Sequence, residues 1–326
     1  MKKITPLFLG MALLLTSCNI SSGKSEDSDK LSIVTTIFPP YDFVREIADD
    51  NVEITMLLEP GSESHSYEPT PQDIIKIQES DLFIYVGGEG DVWVDTILDS
   101  MDKPLNTIVL MDEVEAVAEE IVEGMEHEHE HEHEHEHEHD ENCDHDEEEE
   151  ADLDEHVWTS PENAIKIVES IRDKLCSIDE ENSGTYKTNA DAYLKELNAL
   201  NDNIKEIVKT GKRDTVVFGD RFPMRYFADC YDISYYAAFP GCSTDSEPSA
   251  STIAFLIDKV KEENIPVIFS IEFSNQKVAK TISEATGAKI YEFHSCHNVT
   301  SDDFKNGASY LSLMTRNAEV LKEALN

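Results

Sequence analysis

Along most of the chain, short continuous apolar runs exchange with amphipathic stretches. "LSIVTTI", "VEITMLL", "DLFIYVGG" and "NTIVLMD" are rich in β-branched residues and apolar on successive positions, which predicts strands buried on both faces. Between them, "YDFVREIADD", "TPQDIIKIQES" and "DVWVDTILDSM" read as helices. "SPENAIKIVESIRDKLCSI" predicts a further helix, with Ser160 as its cap, Pro161 in the first turn, and Ala164, Val168, Ile171 and Leu175 on one face. Tyr186, Ala190, Tyr193, Leu197, Leu200, Ile204 and Ile207 then recur three or four residues apart, a single helical stripe. A helix over roughly 180–209 would be about 45 Å long at about 1.5 Å per residue. That length suits a strut across the molecule better than a crossover inside one sheet.

After "TGKRD" the alternation restarts. "TVVFGD", "SYYAAFP", "IPVIFSIE" and "AKIYEFHS" predict strands, and "FPMRYFADCY", "SASTIAFLIDKVKEEN", "NQKVAKTISEATG" and "ASYLSLMTRNAEVLKEALN" predict helices. In the second of these helices Ile253, Leu256, Ile257 and Val260 share a face, and Gly287 closes the third. The expected class is α/β: two βα, Rossmann-like lobes with parallel sheets, joined by one long linking helix. The N-terminal lobe would span 31–178, the linking helix 179–210 and the C-terminal lobe 211–326. Ligands of such sheets lie at the carboxyl ends of strands, so the cleft between the lobes is the expected site.

The pattern breaks at about 113–152. Of the 69 Asp and Glu residues in this 326-residue chain, 24 lie between Asp112 and Glu155, with no Lys or Arg among them. The formal net charge of −43 therefore reports a local device more than a global property. Such acidity repels nucleic acid and anionic lipid and concentrates cations, which excludes nucleic-acid partners. Within the stretch His127, His129, His131, His133, His135, His137 and His139 alternate with glutamates, and His145 follows. Alternating imidazole and carboxylate supply many weak, exchangeable metal sites on a segment too acidic to collapse. A plain charge spacer would have no need of the imidazoles.

The first residues change the picture of where the chain works. "MKK", the apolar "PLFLGMALLL" and then "LTSC" predict a secretory signal whose cleavage site carries a cysteine. "LTSC" resembles a bacterial lipobox, which would make 1–18 a signal peptide with Cys18 lipidated, and 19–30 a polar tether. The expected place is the outer face of a bacterial cell membrane. In an oxidising compartment one disulfide is expected, between Cys242 and Cys296, because each follows a predicted strand of the same half. Cys176 falls on an apolar helical stripe and is expected as a buried thiol.

Outside the insert the only histidines are His65, His156, His294 and His297. His65 lies in "EPGSESHSYEPTPQD" after a strand, His156 in "DEHVWTSP" before a helix, and His294 and His297 in "HSCH" after the last strand. All four fall where two lobes would face each other, which predicts a shared metal site. Neutral imidazoles with a carboxylate suit zinc, while more carboxylates would suit manganese. Asp154, Glu155, Asp220, Glu247 and Glu272 are nearby acids that could orient the imidazoles, and Asp220, Glu247 or Glu272 could also supply a carboxylate ligand. No nucleophile elbow, phosphate loop or H-E-x-x-H helix is present, so an enzyme is not expected; a zinc-dependent hydrolase stays open on ligand count alone.

In their order, the lipobox, "GSESHSYEPTPQD", the acidic His-rich insert, "DEHVWTSPENA", the long helix and the second βα lobe resemble the zinc-specific solute-binding lipoproteins of ABC transporters. That cluster also contains manganese-binding adhesin-type lipoproteins. The resemblance covers 31–326. It implies a rigid two-lobed receptor that captures Zn2+ and passes it to a membrane permease, with manganese capture or adhesion as the alternative; the chain is expected to act as a monomer. By it, His65 and His156 match the first two metal ligands. Where the third is usual, in "VVFGDRFPMRYF", this chain has Gly219 or Arg221, with Asp220 the only acid beside them. Where an aspartate is usual as the fourth, it offers His294 and His297. His294 is favoured by its position at the strand end.

Overall fold

The apolar runs fold as two parallel four-stranded sheets. A computed structural model of the protein describes residues 30–62, 67–125, 152–243 and 248–326. The first sheet takes β1 (Leu31–Thr35), β2 (Val52–Met56), β3 (Leu82–Tyr85) and β4 (Thr107–Val109) in the order β2-β1-β3-β4. Its helices are α1 (Phe38–Ala48), α2 (Pro71–Glu79) and α3 (Val92–Asp99). Two helices follow, α4 (Pro161–Ile178) and α5 (Ser183–Thr210). The second sheet repeats the order, β6-β5-β7-β8, with β5 (Thr215–Phe222), β6 (Ser234–Pro240), β7 (Val267–Ser270) and β8 (Lys289–Glu292). Between its strands lie α6 (Arg225–Tyr231), α7 (Ala250–Glu262) and α8 (Lys277–Thr286), and α9 (Ser301–Lys305) and α10 (Tyr310–Leu325) close the chain. All strand pairs are parallel.

The apolar surface of each sheet is divided. One face of the first sheet packs on α2 and α3 through Phe83, Ile77, Val94 and Ile97, and one face of the second on α7 and α8 through Val217, Leu256 and Ile282. The other faces share one core with α1, α4, α5 and α10, so that Ile33 and Ile84 belong to the same buried cluster as Phe218 and Phe269. Helix α5 runs 28 residues, about 42 Å at about 1.5 Å per residue, and every residue of its predicted stripe is buried. Leu31–Asn326 is thus one compact unit.

Several local expectations meet the structure. Gly287 ends α8 in the left-handed region at φ 81°, as a C-terminal glycine does. Ser160 does stand before α4, but its side chain makes no capping bond; Ala164 N–H donates to its carbonyl instead. In α7 Leu256 and Val260 are buried, while Ile253 and Ile257 are only partly covered. Cys176 is half-buried, its thiol facing Ser183 O at 3.6 Å.

The loops at the carboxyl ends of the strands join the two sheets. Asn298 Nδ2 donates to Glu59 O and Ser62 O, both at 2.9 Å, and Gly61 N–H donates to Val299 O at 2.8 Å. The described ends of the acidic insert are also paired. Ala118 and Leu153 form an antiparallel bridge, flanked by Glu119 N–H to Asp152 O (2.8 Å) and Asp154 N–H to Val117 O (2.9 Å). His127 to His145 and the lipidation candidate Cys18 lie outside the described residues.

Candidate metal centre

In a sheet ordered 2-1-3-4 the chain reverses direction between the first and third strands, and the loops leaving those strands splay apart. Here both sheets open such a crevice toward each other. A cleft of about 410 Å³ is walled by Thr36 and Ile37 after β1, Val86 after β3, Pro240 and Cys242 at the end of β6, and His297 after β8. A smaller recess beside it is lined by Ser62, His156, Arg221, Glu272 and His297.

His156 is the better defined of the two imidazoles. It is 1% exposed, in the turn that precedes α4, and Asp154 Oδ1 stands 3.1 Å from its Nδ1 and accepts its backbone N–H at 2.8 Å. A carboxylate at Nδ1 fixes the proton there and leaves Nε2 as the donor atom for a metal. Burial pulls the imidazole's pKa down, but the Asp154 charge overrides it and raises the value to about 10. An entering cation must displace that proton, so occupation strengthens as pH rises. Tyr226 O–H donates to Asp154 O at 2.7 Å and holds the supporting loop.

His297 comes to His156 from the other half of the molecule, with ring centroids 5.6 Å apart. Trp158 sets this approach: its Nε1–H donates to Ser295 O at 2.9 Å, and its ring lies 4.9 Å from His297 and 5.6 Å from His156. Glu272, 7% exposed, accepts from Ser295 N–H (2.8 Å) and Ser295 O–H, and Ser295 Oγ accepts from His297 N–H at 3.2 Å. Glu272 therefore braces the loop that presents His297.

Other predicted residues stand differently. His294, favoured from its strand-end position, is not on the wall of either cavity. Its Nδ1 accepts Cys296 N–H at 2.9 Å, which puts the ring proton on Nε2 and removes the lone pair a metal would take. Asp220 accepts Arg221 N–H and lines a separate cavity with Ser274 and Lys277. Gly219 packs against α8, where a Cβ would stand 2.6 Å from Ala279 Cα; Arg221 and Pro223 of this stretch line the recess beside the histidines. Glu155 turns to the glycine loop after β3: Gly90 N–H donates to its Oε1 at 2.7 Å, and a Cβ on Gly88 (φ 80°) would collide with the same carboxylate. The expected disulfide is absent. Cys242 and Cys296 are free thiols, one on the cleft wall and the other fully buried within the His294 loop. His65 and Glu247 lie outside the described residues; Ser62, the last described residue before His65, is on the recess wall. Among the described residues no three His, Cys, Asp or Glu side chains are already grouped to hold a metal ion.

Two sheets of one strand order, sharing a helical layer and presenting imidazoles in the cleft between them, define a two-lobed solute-binding protein. The chain belongs to the ZnuA family, described as zinc-uptake complex component A, periplasmic, whose model matches residues 33–324. The family is a transport component rather than an enzyme. The zinc-binding lipoprotein AdcA of Streptococcus pneumoniae serotype 4 is 33% identical over 325 residues, covering 99% of this chain and 61% of that protein. The chain thus spans about three fifths of that relative's length. The high-affinity zinc uptake system protein ZnuA of Bacillus subtilis is 33% identical over 329 residues, covering 99% of this chain and 98% of the relative. Among solved structures, the Zn(II)-bound ZnuA-like domain of Streptococcus pneumoniae AdcA superposes with a TM-score of 0.71 at 31% identity, covering 91% of this chain and 99% of that one. The metal-dependent lipoprotein YcdH of Bacillus subtilis gives 0.74 at 27% identity, covering 91% and 100%.

Proposed function

We propose that the protein captures Zn2+ outside the cytoplasm and hands it to the permease of an ABC transporter, as a monomer held to the outer face of the membrane by a lipid on Cys18. The tight site is built from His156, His297 and His65. The acidic insert, with His127, His129, His131, His133, His135, His137, His139 and His145, collects cations for that site. The observation that carries this reading is the meeting of His156 and His297 from opposite halves of the molecule, with Asp154 holding His156 so that Nε2 is offered. Family membership and the zinc-binding and lipoprotein names of relatives support the metal and the anchor. Among the described residues no helix is long and apolar enough to cross a membrane, and a lipid anchor needs none.

Equilibrium zinc titration tests the division of labour. The intact protein should show one tight site and several weak ones, and deleting 126–146 should remove the weak sites alone. His156→Ala or His297→Ala should each abolish the tight site, while His294→Ala should spare it. Loss of the tight site with the insert would transfer the capture site to the insert.

A further inference from the structure

The turn that leaves β6 comes unusually close to His156. A Cβ added to Gly241 would lie 2.9 Å from Phe222 O and 3.4 Å from His156 Cε1, so a side chain there would push the turn off the imidazole. The next residue, Cys242, has its N–H held by Glu119 Oε1 at 2.9 Å. The turn therefore sets the Cys242 side chain beside the His156 ring. Asp154 already takes Nδ1, which leaves Nε2 as the nitrogen that could share an ion with that sulfur. Cys242 shares the wall of the main cleft with His297.

We propose that Cys242 is a ligand of the transported cation, its thiolate and His156 Nε2 gripping the ion from adjoining corners of a tetrahedron. The inference deepens the zinc reading above and rests on it. An arriving dication displaces the proton from each of these ligands that carries one, and those protons leave to solvent. Imidazole and thiolate together suit Zn2+, whereas Mn2+ prefers oxygen, so Cys242 makes the site selective as well as tight. Because Glu119 belongs to the paired root of the insert, the strand that carries the His-rich segment also anchors the turn bearing the sulfur.

Cobalt substitution tests this in the full chain under reducing conditions. One equivalent of Co2+ should give a thiolate-to-metal charge-transfer band in the near ultraviolet, absent from Cys242→Ser and retained in Cys176→Ser. Zinc affinity should fall by more than about tenfold in Cys242→Ser, and manganese affinity should change less. Tight cobalt or zinc binding with no such band in the unaltered protein, or a band that survives in Cys242→Ser, would overturn the role of Cys242 and leave zinc capture standing. Failure of the unaltered protein to bind either metal tightly would overturn both.

Discussion

His156 and His294 carry the same side chain and an acid two residues earlier, yet the structure gives them opposite chemistry. Asp154 folds back onto His156 Nδ1, which leaves Nε2 as the nitrogen a metal would take once its proton is displaced. Glu292, at the same offset from His294, is drawn away to Arg316 at 3.3 Å, and a backbone N–H takes His294 Nδ1 instead. No spacing rule separates these cases, because the difference lies in which neighbour reaches the ring first. The same holds for Cys242, whose role depends on a glycine turn pressed against a residue some eighty positions earlier. For His156 the carboxylate is the deciding partner. Asp154→Asn should lower zinc affinity by about 10–100-fold while leaving secondary structure intact, as measured by competition with a chromogenic chelator and by circular dichroism. Unchanged affinity would mean that Trp158 packing alone sets the ring.

Among the secondary-structure elements, periodicity was a faithful guide and polar joints were not. The strands and the α5 stripe were readable because each buries a regular apolar face. The joint between α1 and α10 gave no such signal. Asp42, fully buried on α1, accepts Tyr310 N–H at 2.7 Å from the start of α10 and pairs with Arg45, whose Nη2 donates to Ala308 O at 3.2 Å. Burial raises the Asp42 pKa from 3.8 to about 7, against the pull of Arg45. A proton held more tightly in the folded state stabilises fully below the unfolded value, and that contribution is lost as pH rises through about 7. Asp42→Asn should therefore flatten the dependence of Tm on pH between about 4 and 7 relative to the unaltered protein, read by calorimetry across buffers. An identical slope in both proteins would show that Asp42 does not titrate there.

For the molecule as a whole, the two-lobed architecture followed from the interrupted alternation, but the sharing of one core did not. Side chains of both sheets meet in the layer built by α1, α4, α5 and α10, so the halves are bound by more than a strut. Leu197, fully buried near the middle of α5, sits in that layer. Leu197→Ala should cost about 2–5 kcal/mol, and denaturant unfolding should remain a single transition that moves as one. Two separated transitions would mean that the halves unfold independently. Contacts of this range, like the meeting of His156 with His297, join positions whose nearness only the completed fold decides. The antiparallel root of the insert has a consequence of another kind. With Val117–Glu119 tied to Asp152–Asp154, the two sides of the insert are stapled together before the chain runs on to Met125, which is buried in the shared core. If the insert collects cations as proposed, gain or loss of His-Glu dipeptides by replication slippage would change the number of weak sites and leave that staple in place.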